Sequence, residues 1–365
     1  MGKLDWYILK KLLVTFFFCM LLFTVVAVAV DSSEKADDFV KSGLSSSEII
    51  TRYYFGFVPH IWGLLFPLFV FIAVIFFTSK MAVKSEIIAI LASGTSYQRM
   101  LRPYMVGGFI LAGILWLGNR YLIPKANEIR SDFQSNYVDK DDPTKQGNRF
   151  GCDRCFYQRV DSNTYIGINS FDTATKTGAK FFMEKTHDNK VYYNVRSNNL
   201  RWDADSSEWV LLRALERFVD SLGERTTLHD TLRFKLALRP DELTNDEYLK
   251  DKLSTPELKE FIAREELRGR EGLSALRVEQ YRRTATPAAV LLLTIIGAVI
   301  ASRKTRGGSG MHLALGIIIA ALFILSDRFS TVFATKGNLH PLVAAWLPNL
   351  VFSLVAWRLY RKTPK

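Results

Sequence analysis

The chain has 365 residues, 48 % of them apolar, and its 48 Lys and Arg against 36 Asp and Glu leave a net charge of +12. That length suits two soluble domains, but the apolar residues are segregated into long runs that flank one polar block, the layout of a polytopic membrane protein with a soluble insert. Three cysteines are too few for a disulfide scaffold, and there is no solenoid repeat or low-complexity tract.

A helix needs about 20 apolar residues to cross a bilayer. Residues 12–30 contain no charge, and the run is longer than the apolar core of a leader, so a retained span rather than a removable leader is expected. The second predicted span is 53–79, with Pro59 and Pro67 inside it, and the third is 104–123, with Arg120 near one end. Proline is acceptable there because neighbouring helices or waters satisfy the freed carbonyls. Residues 285–301, 313–333 and 342–357 complete a set of six, the last three starting only after 283.

The charge follows these spans. Segments 1–11, 80–103, 302–310 and 358–365 fall on one side and carry fourteen Lys and Arg against Asp5 and Glu86, whereas the insert 123–283 is neutral. This is the positive-inside pattern, and it predicts both termini in the cytoplasm. A nucleic-acid footprint would load the soluble block instead, so nucleic acid is not an expected partner.

Between 151 and 239 the pattern shifts to short aromatic and β-branched runs (CFYQRV, NTYIGINSF, AKFFMEKTH, KVYYNVRS, EWVLLRALERF, TLRFKLAL) separated by turn residues. This predicts a sandwich or jelly-roll-like β domain, either with an apolar groove or filled. After Pro240 the pattern returns to helix: Thr255 reads as an N-cap, Pro256 as the first helical residue and Glu257 as a first-turn acid, and Gly269 and Gly272 break the helix. A further helix from Ser274 leads into span four. Cys152 and Cys155 form a C-x-x-C that reads as a disulfide or as two free thiols; a zinc site lacks a second pair, and no spacing recruits His187 or His229. Cys19 reads as packing in span one.

No P-loop, H-E-x-x-H or G-x-S-x-G motif is present, so no catalytic set is expected, and energy from a nucleotide would have to come from a separate subunit. The informative segment is KMAVKSEIIAILASGTSYQRMLRP, between spans two and three. Within it Glu86 opens a short helical pattern with Ile87, Ile90 and Leu91 on one stripe, and Gly94 closes it. The stripe either caps the bundle or docks into a partner ATPase, where Glu86, the one acid on a basic face, would meet an Arg or Lys. Asp327 and Arg328 lie inside span five, where ionisable groups face a bundle interior or cavity. Lys35, Lys41 and Arg52, just outside spans one and two, read either as solvated loop charge or as a basic rim for the phosphates of an amphiphile. The Phe-rich spans one and two (Phe16, Phe17, Phe18, Phe23, Phe66, Phe69) face either lipid or a cavity.

Three spans, a β-rich insert and three more spans resemble the LptF/LptG (YjgP/YjgQ) permeases of lipopolysaccharide export. The resemblance covers essentially the whole chain. LDWYILKKLL at 4–13 is similar to the family's opening, KSEIIAILASG at 84–94 to its coupling helix, and Trp346, Leu347 and Pro348 to the start of its sixth span. Where such members carry a lysine near the end of span one, this chain has apolar residues around Val28. The resemblance implies an α-helical inner-membrane protein with a periplasmic β-jellyroll-like domain, divided as 1–123, 124–253, 254–283 and 284–365. It implies a non-catalytic subunit with no cofactor of its own, ATP and Mg being held by an LptB-type ATPase dimer. A second LptF/LptG-type permease and LptC/LptA-type periplasmic jellyroll proteins are the other implied partners. Lipopolysaccharide would enter between spans one and five, which makes Phe17, Leu21, Phe323, Asp327 and Arg328 candidate gate residues. Glu86 falls on the family's coupling glutamate, with Ser85, Ile87, Ile90, Leu91 and Gly94 around it, and Lys35 falls on a lipid-phosphate position that Lys41 and Arg52 extend. Another lipid- or lipoprotein-exporting permease, and a membrane sensor or scaffold without an ATPase, are the competing expectations.

Overall fold

The computed structural model describes residues 2–138, 156–161, 163–172, 175–187, 190–204, 206–220, 223–236, 249–267, 273–303 and 308–362. Its helices are α1 (Lys3–Glu34), α2 (Ala36–Ser42), α3 (Ser46–Ile49), α4 (Phe55–Val83), α5 (Glu86–Ala92), α6 (Tyr97–Leu117), α7 (Ile123–Phe133), α8 (Leu249–Lys252), α9 (Thr255–Leu267), α10 (Ser274–Ala301), α11 (Gly308–Lys336) and α12 (Pro341–Arg361). Its strands are β1 (Phe156–Asp161), β2 (Thr164–Asp172), β3 (Thr177–His187), β4 (Lys190–Asp203), β5 (Glu208–Asp220) and β6 (Gly223–Phe234). The chain divides into two compact units: Met1–Tyr137, Lys250–Lys259 and Ser274–Lys365 form one, Val138–Leu249 and Glu260–Leu273 the other.

The first unit is the helical bundle. Six helical segments among the described residues are long and apolar enough to cross a membrane, which makes the chain a multi-pass membrane protein. Each runs beyond its apolar stretch, because helical hydrogen bonding does not stop where the hydrocarbon does. The third continues through a π-helical turn at Gly118–Leu122 into α7 and on to Val138, well past residue 123. A second π-turn, Ile50–Tyr54, precedes α4. α4 and α10 form the centre, with Phe71, Val74, Leu293 and Ile296 buried. α6 approaches α1 closely at Gly107, where an added Cβ would lie 2.6 Å from Leu12 Cδ2 and 3.2 Å from Leu9 Cδ1, so any larger residue would push these leucine side chains aside. The tyrosine hydroxyl of Tyr104 accepts from Thr78 Oγ1 at 3.0 Å, and Asn349 Nδ2 of α12 donates to the Ala285 carbonyl at 2.8 Å.

The second unit contains one six-stranded antiparallel sheet in the order β1-β2-β3-β4-β5-β6. The β domain expected between the third and fourth spans is therefore present, as a meander of hairpins. The second sheet of a filled sandwich is not among the described residues. Register pairs Ile166 with Met183 and Met183 with Val195, which sets a continuous apolar face with Ile168, Phe181 and Trp209. Lys180 and Arg213 adopt positive φ within β3 and β5, and the register of β3 with β4 shifts between Lys185 and Thr186, as at a bulge. β6 begins at Gly223, earlier than the run at 231–238 suggested. The N-cap of α9 is also one residue earlier than read: Glu257 reaches back to accept from the Ser254 amide at 2.9 Å, and Thr255 is already helical. Hydrogen bonds from the Ser254 hydroxyl and then its amide hold the Glu257 carboxyl below its ordinary value.

Candidate functional site

Three groups of predicted residues take distinct positions in the bundle. The first is the segment between α4 and α6. Ser85 adopts φ +58°, a left-handed conformation that costs a residue with a side chain about 1 kcal/mol, and it turns the chain abruptly into α5. Gly94, at φ +85°, turns it out again. Ile87 is buried in the bundle core, and Ile90 and Leu91 pack beside it. Ile88 is 52 % exposed, and Ala89 and Ala92 are exposed with it. The stripe read from the sequence thus faces the bundle, and a second, unpredicted set faces outward. Glu86 is half-buried, and its Oε2 accepts from the Tyr7 hydroxyl at 3.1 Å. Lys11 Nζ donates to the same hydroxyl. A carboxylate has about four lone-pair sites, so one bond from Tyr7 leaves it able to accept others. At the far end of the segment, Arg99 pairs with the buried Asp5 at 2.8 Å, and the Tyr97 and Ser302 hydroxyls are 3.0 Å apart. Sequence reasoning missed Tyr7 and Asp5; only the packing of α1 beside α6 brings them here.

The second group is basic. Lys35 is not an open rim residue: its ammonium group bonds the Tyr53 hydroxyl, Gln134 Oε1 at 3.1 Å and Asp31 Oδ1 at 3.4 Å, and it lies 4.5 Å from the centre of the Tyr53 ring. Burial lowers its pKa from the ordinary 10.5, with Asp31 opposing the fall. Arg52 pairs loosely with Glu48 at 3.8 Å, where both side chains are exposed, and Lys41 is exposed at the end of α2. The aromatic residues Phe39, Tyr54, Phe57 and Phe133 surround Tyr53.

The third group lines a cavity of about 150 Å³ among α4, α7, α10, α11 and α12. Phe323, Asp327 and Arg328 meet there, whereas Phe17 and Leu21 lie elsewhere, exposed on the outer face of α1. The apolar part is formed by residues such as Leu64, Leu68, Ala289 and Leu293. At the polar part, His60 Nδ1 is 2.7 Å from Asn127 Oδ1, Arg282 pairs with Glu279 at 3.8 Å, and Arg283 donates to the carbonyls of Leu253 and Lys250 at 2.8 and 2.9 Å. Asp327 and Asp251 both act electrostatically on Arg282. Burial raises the Asp251 carboxyl above its ordinary 3.8, and the neighbouring Glu279 adds to the rise. The sequence singled out Asp327 and Arg328 but not Arg282, Glu279 or His60, which come from other helices. Cys152 and Cys155 lie outside the described residues; His229 is held by Glu216 at 2.7 Å.

The family model for the lipopolysaccharide export system permease LptF/LptG matches residues 6–362. The chain belongs to the LptF/LptG family. The match takes in the sheet and all six membrane helices except the first residues of α1, and the family is one of permease subunits. Comparison with curated proteins gives no match.

Proposed function

We propose that this permease extracts lipopolysaccharide from the inner membrane and hands it to periplasmic β proteins of the LptC/LptA kind, driven by ATP hydrolysed in a separate LptB-type dimer that binds the ATP and Mg. A second LptF/LptG-type chain completes the path. The termini and α5 face the cytoplasm and the sheet faces the periplasm, in keeping with the basic residues at 1–11, 80–103, 302–310 and 358–365. Each CH₂ withdrawn from hydrocarbon costs about 0.8 kcal/mol, so a multi-chain lipid demands both an energy source and an apolar path. The exposed apolar faces of α1, with Phe17 and Leu21, and of α11 offer the walls of such a path, and Asp327 and Arg328, with Phe323 beside them, its polar neighbour. Lys35, Lys41 and Arg52 meet phosphates at its exit, Lys35 after leaving Asp31.

The observation that carries this reading is α5: a short helix set off by Ser85 and Gly94, fixed to the bundle by Ile87, Ile90 and Leu91, with Glu86, Ile88 and Ala89 left for a partner. In this role Ile87, Ile90 and Leu91 position the helix rather than touch the ATPase. The test is Glu86→Ala in the complex purified from native membranes. A charge-assisted bond is worth about 1.5–3 kcal/mol, so ATPase coupling or assembly should fall by roughly tenfold or more while the chain still accumulates. Wild-type coupling would remove the ATPase from the reading. An ATPase that copurifies with some other lipid would change the cargo and keep the mechanism.

A further inference from the structure

The base of α1 is bonded to both ends of the coupling segment. Tyr7 donates to Glu86 at the entry to α5, and Asp5 pairs with Arg99 where the chain re-enters α6. Asp5 is buried and accepts from the Gly2 amide as well, at 2.8 Å, so the first turn of α1 is built around it. Tyr7 is held from its own helix by Lys11. Just beyond, Leu9 and Leu12 seat against Gly107 of α6, with Ile8 and Phe16 also buried, so this end of α1 has little freedom to give way. A rigid helix so attached cannot stay still while the segment beside it moves. α1 is also the span with the least buried apolar stretch, 11 %, and its open face carries Phe17 and Leu21.

We propose that Tyr7 and Asp5 are positioning residues that join the coupling segment to span one: Tyr7 aims the Glu86 carboxylate, Asp5 holds Arg99, and displacement of α5 by the ATPase passes into α1 through these two ties. This rests on the export reading above and names the route by which nucleotide chemistry would reach the apolar path. Neither residue touches cargo or nucleotide.

The experiment uses the complex reconstituted in proteoliposomes containing lipopolysaccharide, and reads lipid released per ATP hydrolysed. Tyr7→Phe keeps the ring and removes the hydroxyl; the ratio should fall about fivefold, the size of one net hydrogen bond expressed as an equilibrium. Arg99→Ala should lower it at least as much, and Arg99→Lys, which keeps the charge, should restore most of it. Because Tyr7 acts through Glu86, Tyr7→Phe added to Glu86→Gln should cost nothing beyond Glu86→Gln alone. An unchanged ratio in Tyr7→Phe and Arg99→Ala, or additive losses in the double variant, would overturn the proposal while Glu86→Ala still uncouples the complex. A Glu86→Ala complex that behaves as wild type would instead overturn the export reading beneath it.

Discussion

Two pairs of spans in this bundle are all apolar enough for a membrane and yet have opposite surroundings. In α4 and α10, 56 % and 67 % of the most apolar stretch is buried; in α1 and α11 only 11 % and 17 % is. The difference does not follow hydropathy; on α10 it goes with small side chains at the contacts. Lipid is as apolar as leucine, so helices associate in a bilayer where small residues let backbones approach. α10 supplies Ala285, Ala289, Gly297, Ala298 and Ala301, all at its buried face. The outer face of α1 supplies Phe17, Phe18, Leu21, Leu22, Val25 and Val26, which lipid or another chain can cover but no helix among the described residues does.

Overfilling the packed pair should have the largest effect. A Cβ at Gly297 would already lie 3.0 Å from Val74 Cγ1 and 3.2 Å from Phe71 Cδ2, so Gly297→Leu should cost about 1–3 kcal/mol, seen as a lower melting temperature in detergent. Gly113 of α6 has nothing within 4 Å of its Cβ position, and Gly113→Leu should stay within about 0.5 kcal/mol. Equal losses at the two sites would mean that α4 and α10 are not the packed centre. Next in size is the electrostatic tie between the two classes of helix, Arg282 on α10 with Asp327 on α11. A double-mutant cycle of Arg282→Gln and Asp327→Asn should give a coupling of about 1 kcal/mol, the usual scale for polar pairs between membrane helices. No coupling would leave α11 held by apolar contacts alone.

This contrast also marks what the sequence could and could not tell. The six spans and the β insert were legible because period and composition are local properties. So was α5, since Glu86 and Gly94 bracket an apolar stripe. Which face of α5 meets the bundle was not legible: Ile87 and Ile88 are equally apolar, and only the burial of Ile87 in the bundle core distinguishes them. The surroundings of Lys35 were not legible for the same reason. Its basic charge is visible in the sequence, but Tyr53 and Gln134 come from 18 and 99 residues away to engage it. The cavity was half legible, because a charge inside an apolar run, as at Asp327, announces itself, whereas Glu279 and Arg282 sit in a polar stretch ahead of span four and do not.

The cavity offers a smaller, pH-dependent test of the same boundary. Burial and Glu279 raise the Asp251 carboxyl above its ordinary 3.8 in the folded chain. Its contribution to stability is therefore fully present below 3.8 and is lost as the pH rises through the folded value, because the folded state then gives up a proton it holds more tightly than the unfolded one. At pH 7 Asp251→Asn avoids that loss and should raise the melting temperature by about 1–2 °C. The gain should shrink as the pH is lowered and vanish below 3.8. A destabilised variant at pH 7 would mean that attraction to Arg282 and Lys250 outweighs the burial.

The smallest expected effect is at the open face itself. Phe17 is 51 % exposed and Leu21 64 %, one helical turn apart on α1. Truncating an exposed side chain opens no cavity, so Phe17→Ala and Leu21→Ala should each change stability by under about 0.5 kcal/mol in detergent. The residues are informative because that tolerance separates the fold from its use. A photo-reactive side chain placed at position 21 in native membranes should cross-link to lipopolysaccharide or to a second permease chain, the two occupants that an export path between α1 and a partner's span five would bring there. The same group at Phe109, 60 % exposed on α6, should capture bulk phospholipid. Identical capture at both positions would make the outer face of α1 an ordinary lipid contact, and the gate would then have to be sought on α11.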